Sequence, residues 1–104
     1  MLEEIRSKIL QRQYEFSKHA IDQSIIRNIS VGEVEDAISG RCEIIEDYPD
    51  DKYGPSCLIL GFIRAGRPIH IQCSYPSRPL IKIITVYEPD PDVWVDFRVR
   101  KQSQ

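Results

Sequence analysis

The chain has 104 residues, with 14 Lys and Arg against 16 Asp and Glu, for a formal net charge of −2. That length gives one small domain a core of its own but not two, and the charge excludes a protein that coats nucleic acid indiscriminately. A 41% hydrophobic and 29% charged composition is globular, so residues 1–104 are expected to fold as one unit.

The longest apolar runs, such as CLILGF, are strand length and well short of the roughly 20 residues that cross a bilayer. The opening MLEEIRSKIL mixes acids and bases within its apolar pattern, unlike a secretory signal. A cytoplasmic protein with no membrane helix is expected. Cys42, Cys57 and Cys73 are widely spaced and include no Cys-x-x-Cys pair, which reads as buried small apolar groups rather than a zinc or redox motif. No cofactor is expected.

In chain order, Leu2, Ile5, Ile9 and Leu10 recur at helical spacing and predict a helix within residues 1–13. Residues 14–40 read as a helical pair after the brief extended stretch YEFS. Ser17 is the expected cap of a helix from Lys18 to Arg27, with Asn28 suited to a left-handed end. Ser30 and Glu33 have capping-box spacing, and the helix they start carries Val31, Val34, Ala37 and Ile38 on one side and stops at Gly40. From residue 41 to 87 the period changes to that of strands, at 42–48, 57–64, 68–74 and 80–87, separated by turn signals at Gly66 and YPSRP. Short connections make these strands antiparallel. The expected fold class is α+β, with N-terminal helices on one face of a roughly four-stranded antiparallel sheet and the other face left for solvent, ligand or partner. The tail, 88–104, is ambiguous: Val93, Val95, Phe97 and Val99 alternate as in an edge strand, while Trp94 and Phe97 also fit a helix.

Charge is distributed unevenly. From Arg41 to Lys52 five acids face two bases, whereas Tyr53 to Tyr87 has no Asp or Glu and carries Arg64, Arg67, Arg78 and Lys82. A basic sheet region can hold an anion. At about 100° per residue, His19, Gln23 and Arg27 share one narrow arc, with Ile21 and Ile25 roughly opposite. In the third strand His70, Gln72 and Ser74 point together, opposite Ile69, Ile71 and Cys73. If the open face of the fourth strand carries Thr85 and Tyr87, His70 shares a surface with them; if it carries Lys82, His70 shares one with that cation. A histidine with Arg, Lys or Tyr is sufficient for cleaving RNA without metal, since one group takes the 2′-hydroxyl proton and cations stabilise the charge on phosphate. The acids Asp47, Asp50 and Asp51 lack the alternating ligands of a calcium loop and read as a solvated turn.

The ordered motifs FSKHA, IRNIS, IIEDYPDD, SCLILG, IH, IITVYEPDP and W resemble the small prokaryotic domain-of-unknown-function family 4258 over essentially the whole chain. The matching positions are His19, Ala20, Arg27, Ile29, Tyr48, Pro49, Gly61, His70, Thr85, Tyr87, Pro89 and Trp94. A departure lies in DQSIIRN, where relatives tend to carry an arginine soon after the histidine and a glycine after the second arginine. The family looks related to compact RelE-like and BrnT-like ribonuclease toxins. The resemblance therefore implies a RelE-like fold and the toxin of a toxin–antitoxin pair, a metal-independent endoribonuclease neutralised by a YgiT-type zinc-finger antitoxin. In that reading His19 or His70 is the base, Tyr87 donates a proton, Arg27, Arg78 and Lys82 bind phosphate, and Trp94 docks the partner. The alternative expectation is a non-catalytic protein-binding module or structural subunit.

Overall fold

A computed structural model describes residues 1–102. The chain runs α1 (Leu2–Leu10), β1 (Tyr14–Phe16), α2 (Lys18–Ile26), α3 (Val31–Ser39), β2 (Cys42–Tyr48), β3 (Ser56–Ile63), β4 (Arg67–Ser74), β5 (Ile81–Tyr87), β6 (Trp94–Val95) and β7 (Val99–Arg100). The fold is α+β, but the main sheet has five strands in the order β1-β5-β4-β3-β2. It is mixed, because β1 lies parallel to β5, where four antiparallel strands were expected. Three residues are too few to display an alternation. What places YEF in the sheet is its backbone: Gln13 and Ile83 carbonyls accept the Ile81 and Ser17 amides at 3.0 and 2.9 Å.

The helices start where their caps require. Ser17 Oγ accepts the Ala20 amide at 3.0 Å, and Ser30 and Glu33 form the reciprocal capping box. Asn28 takes a left-handed φ of 54° and ends α2. Helix α1 is short and has no side-chain cap, so packing must hold it. Ile5 and Ile9 are buried, and Arg6 donates to the Ile38 and Gly40 carbonyls at the end of α3 at 3.0 and 2.8 Å. A cation at a helix C-terminus also meets the negative end of the helix dipole.

Cys57, Ile59, Ile63, Ile69, Ile71, Cys73, Ile81 and Ile83 join α1, α3 and Ala20 in one core. Where α3 crosses β3, Gly61 lies under Ala37, and a Cβ there would stand 2.9 Å from that of Ala37. The glycine permits the close approach. Helix α2 is oriented contrary to its apolar pattern: Ala20 and Ser24 are its buried residues, and Ile25 and Ile26 are exposed. Its polar arc instead turns to the edge of β5, where Gln23 Oε1 accepts the Val86 amide at 3.0 Å. Strand β1 covers β5 only as far as Ile83, so Gln23 satisfies an edge amide beyond it.

Two bulges decide what the other sheet face carries. In β5, Cys73 pairs with Ile83 but Gln72 pairs with Thr85, so Ile84 is the extra residue and the facing pattern shifts by one. In β2, Ile44 pairs with Ile59 but Glu46 with Leu58, which moves Glu46 to the face away from the helices. That face is not left bare. The ambiguous tail is a hairpin, β6 antiparallel to β7, laid over it. Asp96 and Phe97 take φ values of 52° and 62°, as a primed hairpin turn demands of both central residues, and the Arg98 amide closes the turn on the Val95 carbonyl at 3.0 Å. Among the described residues, no helix is long and apolar enough to cross a membrane.

Candidate functional site

Strands β4 and β5 place His70 directly opposite Tyr87. The imidazole is fully buried. Its Nε2 lies 2.7 Å from the Phe97 carbonyl and its Nδ1 3.1 Å from the Tyr87 hydroxyl. A carbonyl only accepts, so Nε2 carries the proton, and Nδ1 is left to accept from Tyr87. Burial pushes the His70 pKa below its ordinary value against the opposing pull of the Phe97 carbonyl and Glu46. It also raises that of Tyr87. The pair is thus a neutral imidazole and a protonated phenol.

The hairpin that buries His70 is fastened by charge. Arg98 pairs with Glu43, and Arg100 Nε reaches Glu46 Oε2 at 3.0 Å while its Nη2 reaches Oε1 at 3.2 Å. Burial works to raise the Glu46 carboxyl, but hydrogen bonds from Arg100 and Tyr48 outweigh it and hold it below the usual value. Trp94 is only 4% exposed. The His70 ring meets it edge-on at 4.5 Å between centroids, and the Arg100 guanidinium lies 4.6 Å over it.

Beside this stack a cleft of about 470 Å³ opens between α2, the end of β5 and the hairpin, lined by Gln23, Arg27, Thr85, Tyr87, Glu88, Asp90, Val93, Trp94 and Arg100. Arg67 shapes its mouth. That side chain donates to the Arg27 and Asn28 carbonyls at 2.9 and 3.1 Å and pairs with Glu88 at 2.5 Å. The cleft thus holds two cations, Arg27 and Arg100, and two carboxylates, Glu88 and Asp90, with Arg100 paired to Glu46 and Glu88 to Arg67. Arg27, and Arg100 beyond its pair with Glu46, can attract a phosphate ester, and the Tyr87 phenol, which donates to His70 Nδ1, can exchange a proton with it through that imidazole.

The sequence-derived residues separate into three groups. Arg27, Tyr87 and Trp94 line this cleft, with His70 beneath it. His19 is exposed on the same arc of α2 but does not line the cleft. Arg78 and Lys82 line a different one, with Ser17, Tyr53 and Ser74. The two alternatives for the open face of β5 are both realised, because the bulge at Ile84 lets Lys82 share that face with Thr85 and Tyr87. Sequence reasoning counted Arg67 only among the cations of the acid-free strand region, and it missed Arg100 and the Phe97 carbonyl. A signal for Arg100 existed in the charges: Glu43 and Glu46 in a strand, and Arg98 and Arg100 in a tail of strand-like alternation.

The matching family model is DUF4258, a domain of unknown function, over residues 16–88. The chain belongs to that family. The matched region runs from β1 to just beyond β5 and so contains His70, Tyr87 and Arg27, but not the hairpin that covers them. No curated protein and no solved structure matches the chain, so the RelE-like part of the sequence-based expectation is not shown.

Proposed function

We propose that this chain is a toxin-type endoribonuclease that cleaves RNA without a metal in the cleft between α2 and the hairpin. The observation that carries the proposal is the Tyr87 hydroxyl, 3.1 Å from His70 Nδ1 on the wall of a cleft flanked by Arg27 and Arg100. Tyr87 oxygen takes the proton of a ribose 2′-hydroxyl as its own proton passes to His70 Nδ1. The 2′-oxygen bonds to phosphorus, the bond from phosphorus to the 5′-oxygen breaks, and that oxygen leaves with a proton from water at the open mouth; the proton held on His70 Nδ1 then returns to Tyr87 as the Tyr87 proton neutralises the hydroxide left by that water. The products are a 2′,3′-cyclic phosphate and a 5′-hydroxyl. Arg27 and Arg100 stabilise the extra charge on the pentavalent phosphorus. In the cytoplasm such an activity needs a neutralising partner, and the proposed one is a zinc-finger antitoxin of the YgiT type.

A second reading is favoured by the exposed Ile21, Ile25 and Ile26 of α2. An apolar ridge of this kind suits a non-catalytic module that binds another protein. Purified protein incubated with total RNA and a chelator separates the two. Cleavage to cyclic phosphate ends, reduced roughly 10²- to 10⁴-fold in Tyr87→Phe as for a lost acid–base group, supports the nuclease. The same loss in His19→Ala but not in Tyr87→Phe would transfer the base to the exposed histidine. Intact RNA throughout supports the binding module.

A further inference from the structure

Along β5 from Tyr87, a second cleft of about 460 Å³ is lined by Ser17, Tyr53, Gly54, Ser74, Arg78 and Lys82. Ser74 Oγ accepts the Lys82 amide at 2.8 Å, which fixes the backbone where that lysine leaves the strand. Among the described residues, neither the Arg78 nor the Lys82 side chain is in an ion pair. Tyr53 is 82% exposed, and Lys52 Nζ stands 4.9 Å over its ring centroid. The nearby Asp51 carboxylate is engaged locally, accepting from the Tyr53 amide at 3.2 Å and from Ser56 Oγ at 3.4 Å. Its charge is held in the turn rather than paired with either cation of the cleft.

We infer that this second cleft is a distal subsite for single-stranded RNA, with phosphodiester groups on Arg78 and Lys82 and a base stacked on Tyr53. The inference rests on the RNA reading above and extends it to the length and form of the substrate. Cations tracking a backbone beside an open aromatic ring are what a single strand needs, because every base has a face to stack. The two clefts are joined by one strand. Lys82 and Tyr87 both lie in β5, at most roughly 16 Å apart at the usual strand rise, so one RNA strand of a few nucleotides spans from Tyr87 to Lys82. Duplex RNA keeps its bases stacked inside the helix and leaves Tyr53 nothing to receive.

The test measures binding of 2′-O-methyl oligoribonucleotides, which cannot be cleaved, from a dinucleotide upward and across salt concentrations. Wild type should gain affinity with length. In Arg78→Ala/Lys82→Ala that gain should shrink and the salt slope for a long strand should fall by about 1.4, roughly 0.7 for each phosphate contact of a single strand. Tyr53→Ala should weaken the long strand about 5- to 150-fold, the value of one stacked base. Dinucleotide binding that depends on Arg27 but does not strengthen with length would overturn the subsite and leave the proposed function standing. So would a length gain that neither variant reduces, or equal affinity for duplex RNA. Wild type that binds no RNA at any length would overturn both.

Discussion

Tyr87 and His70 are cross-strand partners in β5 and β4, and their side chains form a directed pair in which the phenol donates to Nδ1 because Nε2–H is committed to the Phe97 carbonyl. The backbone of the hairpin thereby selects the imidazole tautomer. Phe97 takes a left-handed φ of 62°, a conformation that a bulky residue adopts at a cost of about 1–3 kcal/mol. The surrounding ion pairs and the Trp94 stack offset that cost.

The tautomer is directly observable. Nitrogen-15 correlation spectra should show His70 neutral and protonated on Nε2 at neutral pH. Tyr87→Phe leaves Nδ1 buried without a donor and should lower stability by about 1–3 kcal/mol in denaturant unfolding. A stability equal to wild type would mean that water or another group replaces the phenol.

His70 also sets a pH dependence. Its folded pKa lies below the ordinary imidazole value of 6.5, so the unfolded chain binds more protons as pH falls through that value. The stability it contributes is therefore complete above about pH 6.5 and is lost as pH falls from there towards the depressed folded pKa. Glu46 and Arg100 face the same site. Glu46 is depressed below 4.5, so its own loss of stability falls in a lower window. Urea midpoints of wild type should fall between pH 7 and pH 5, whereas those of His70→Gln should stay nearly flat over the same range. Equal slopes in the two proteins would show that His70 is not the titrating group.

Trp94 is a packing residue before it is a docking residue. With only 4% of it exposed, and His70 and Arg100 against it, Trp94→Ala should cost about 3–5 kcal/mol. Loosening of the hairpin should follow, with faster amide exchange at Arg98 and Lys101, whose amides close the ribbon on Val95 and Val93. An unchanged melting temperature together with failure to co-purify with a co-expressed antitoxin would instead make Trp94 an interface anchor.

The contact of α3 with β3 is sensitive to one methyl group. In Gly61→Ala the new Cβ would stand 2.9 Å from that of Ala37, and relief requires the helix to shift as a body. The expected loss is about 1–3 kcal/mol. Gly61→Ala/Ala37→Gly should recover part of it, although glycine in α3 carries its own penalty of about 1 kcal/mol. No recovery would mean that the helix is displaced by something other than this contact.

Local signals determined much of this protein. Ser17, the Ser30–Glu33 box and Asn28 bound their helices in the structure as their chemistry requires, because capping satisfies backbone groups within a few residues. The alternation in IHIQCS put His70 and Gln72 away from the helices for the same kind of reason: strand periodicity is a property of neighbouring residues. The family resemblance was legible too, and the family model matches over residues 16–88, a span that stops short of Pro89 and Trp94. Tertiary structure alone decided the rest. The bulges at Ile45 and Ile84 change which residues share a face, yet each is an extra residue defined only against its partner strand. The orientation of α2 ran against its own apolar arc, since the unpaired Val86 amide attracted Gln23 to the sheet edge. The tail fitted two periods equally in sequence. Its choice of a hairpin came from Glu43, Glu46 and His70, between 27 and 55 residues earlier in the chain, which offered Arg98, Arg100 and the Phe97 carbonyl their partners only once the sheet had formed.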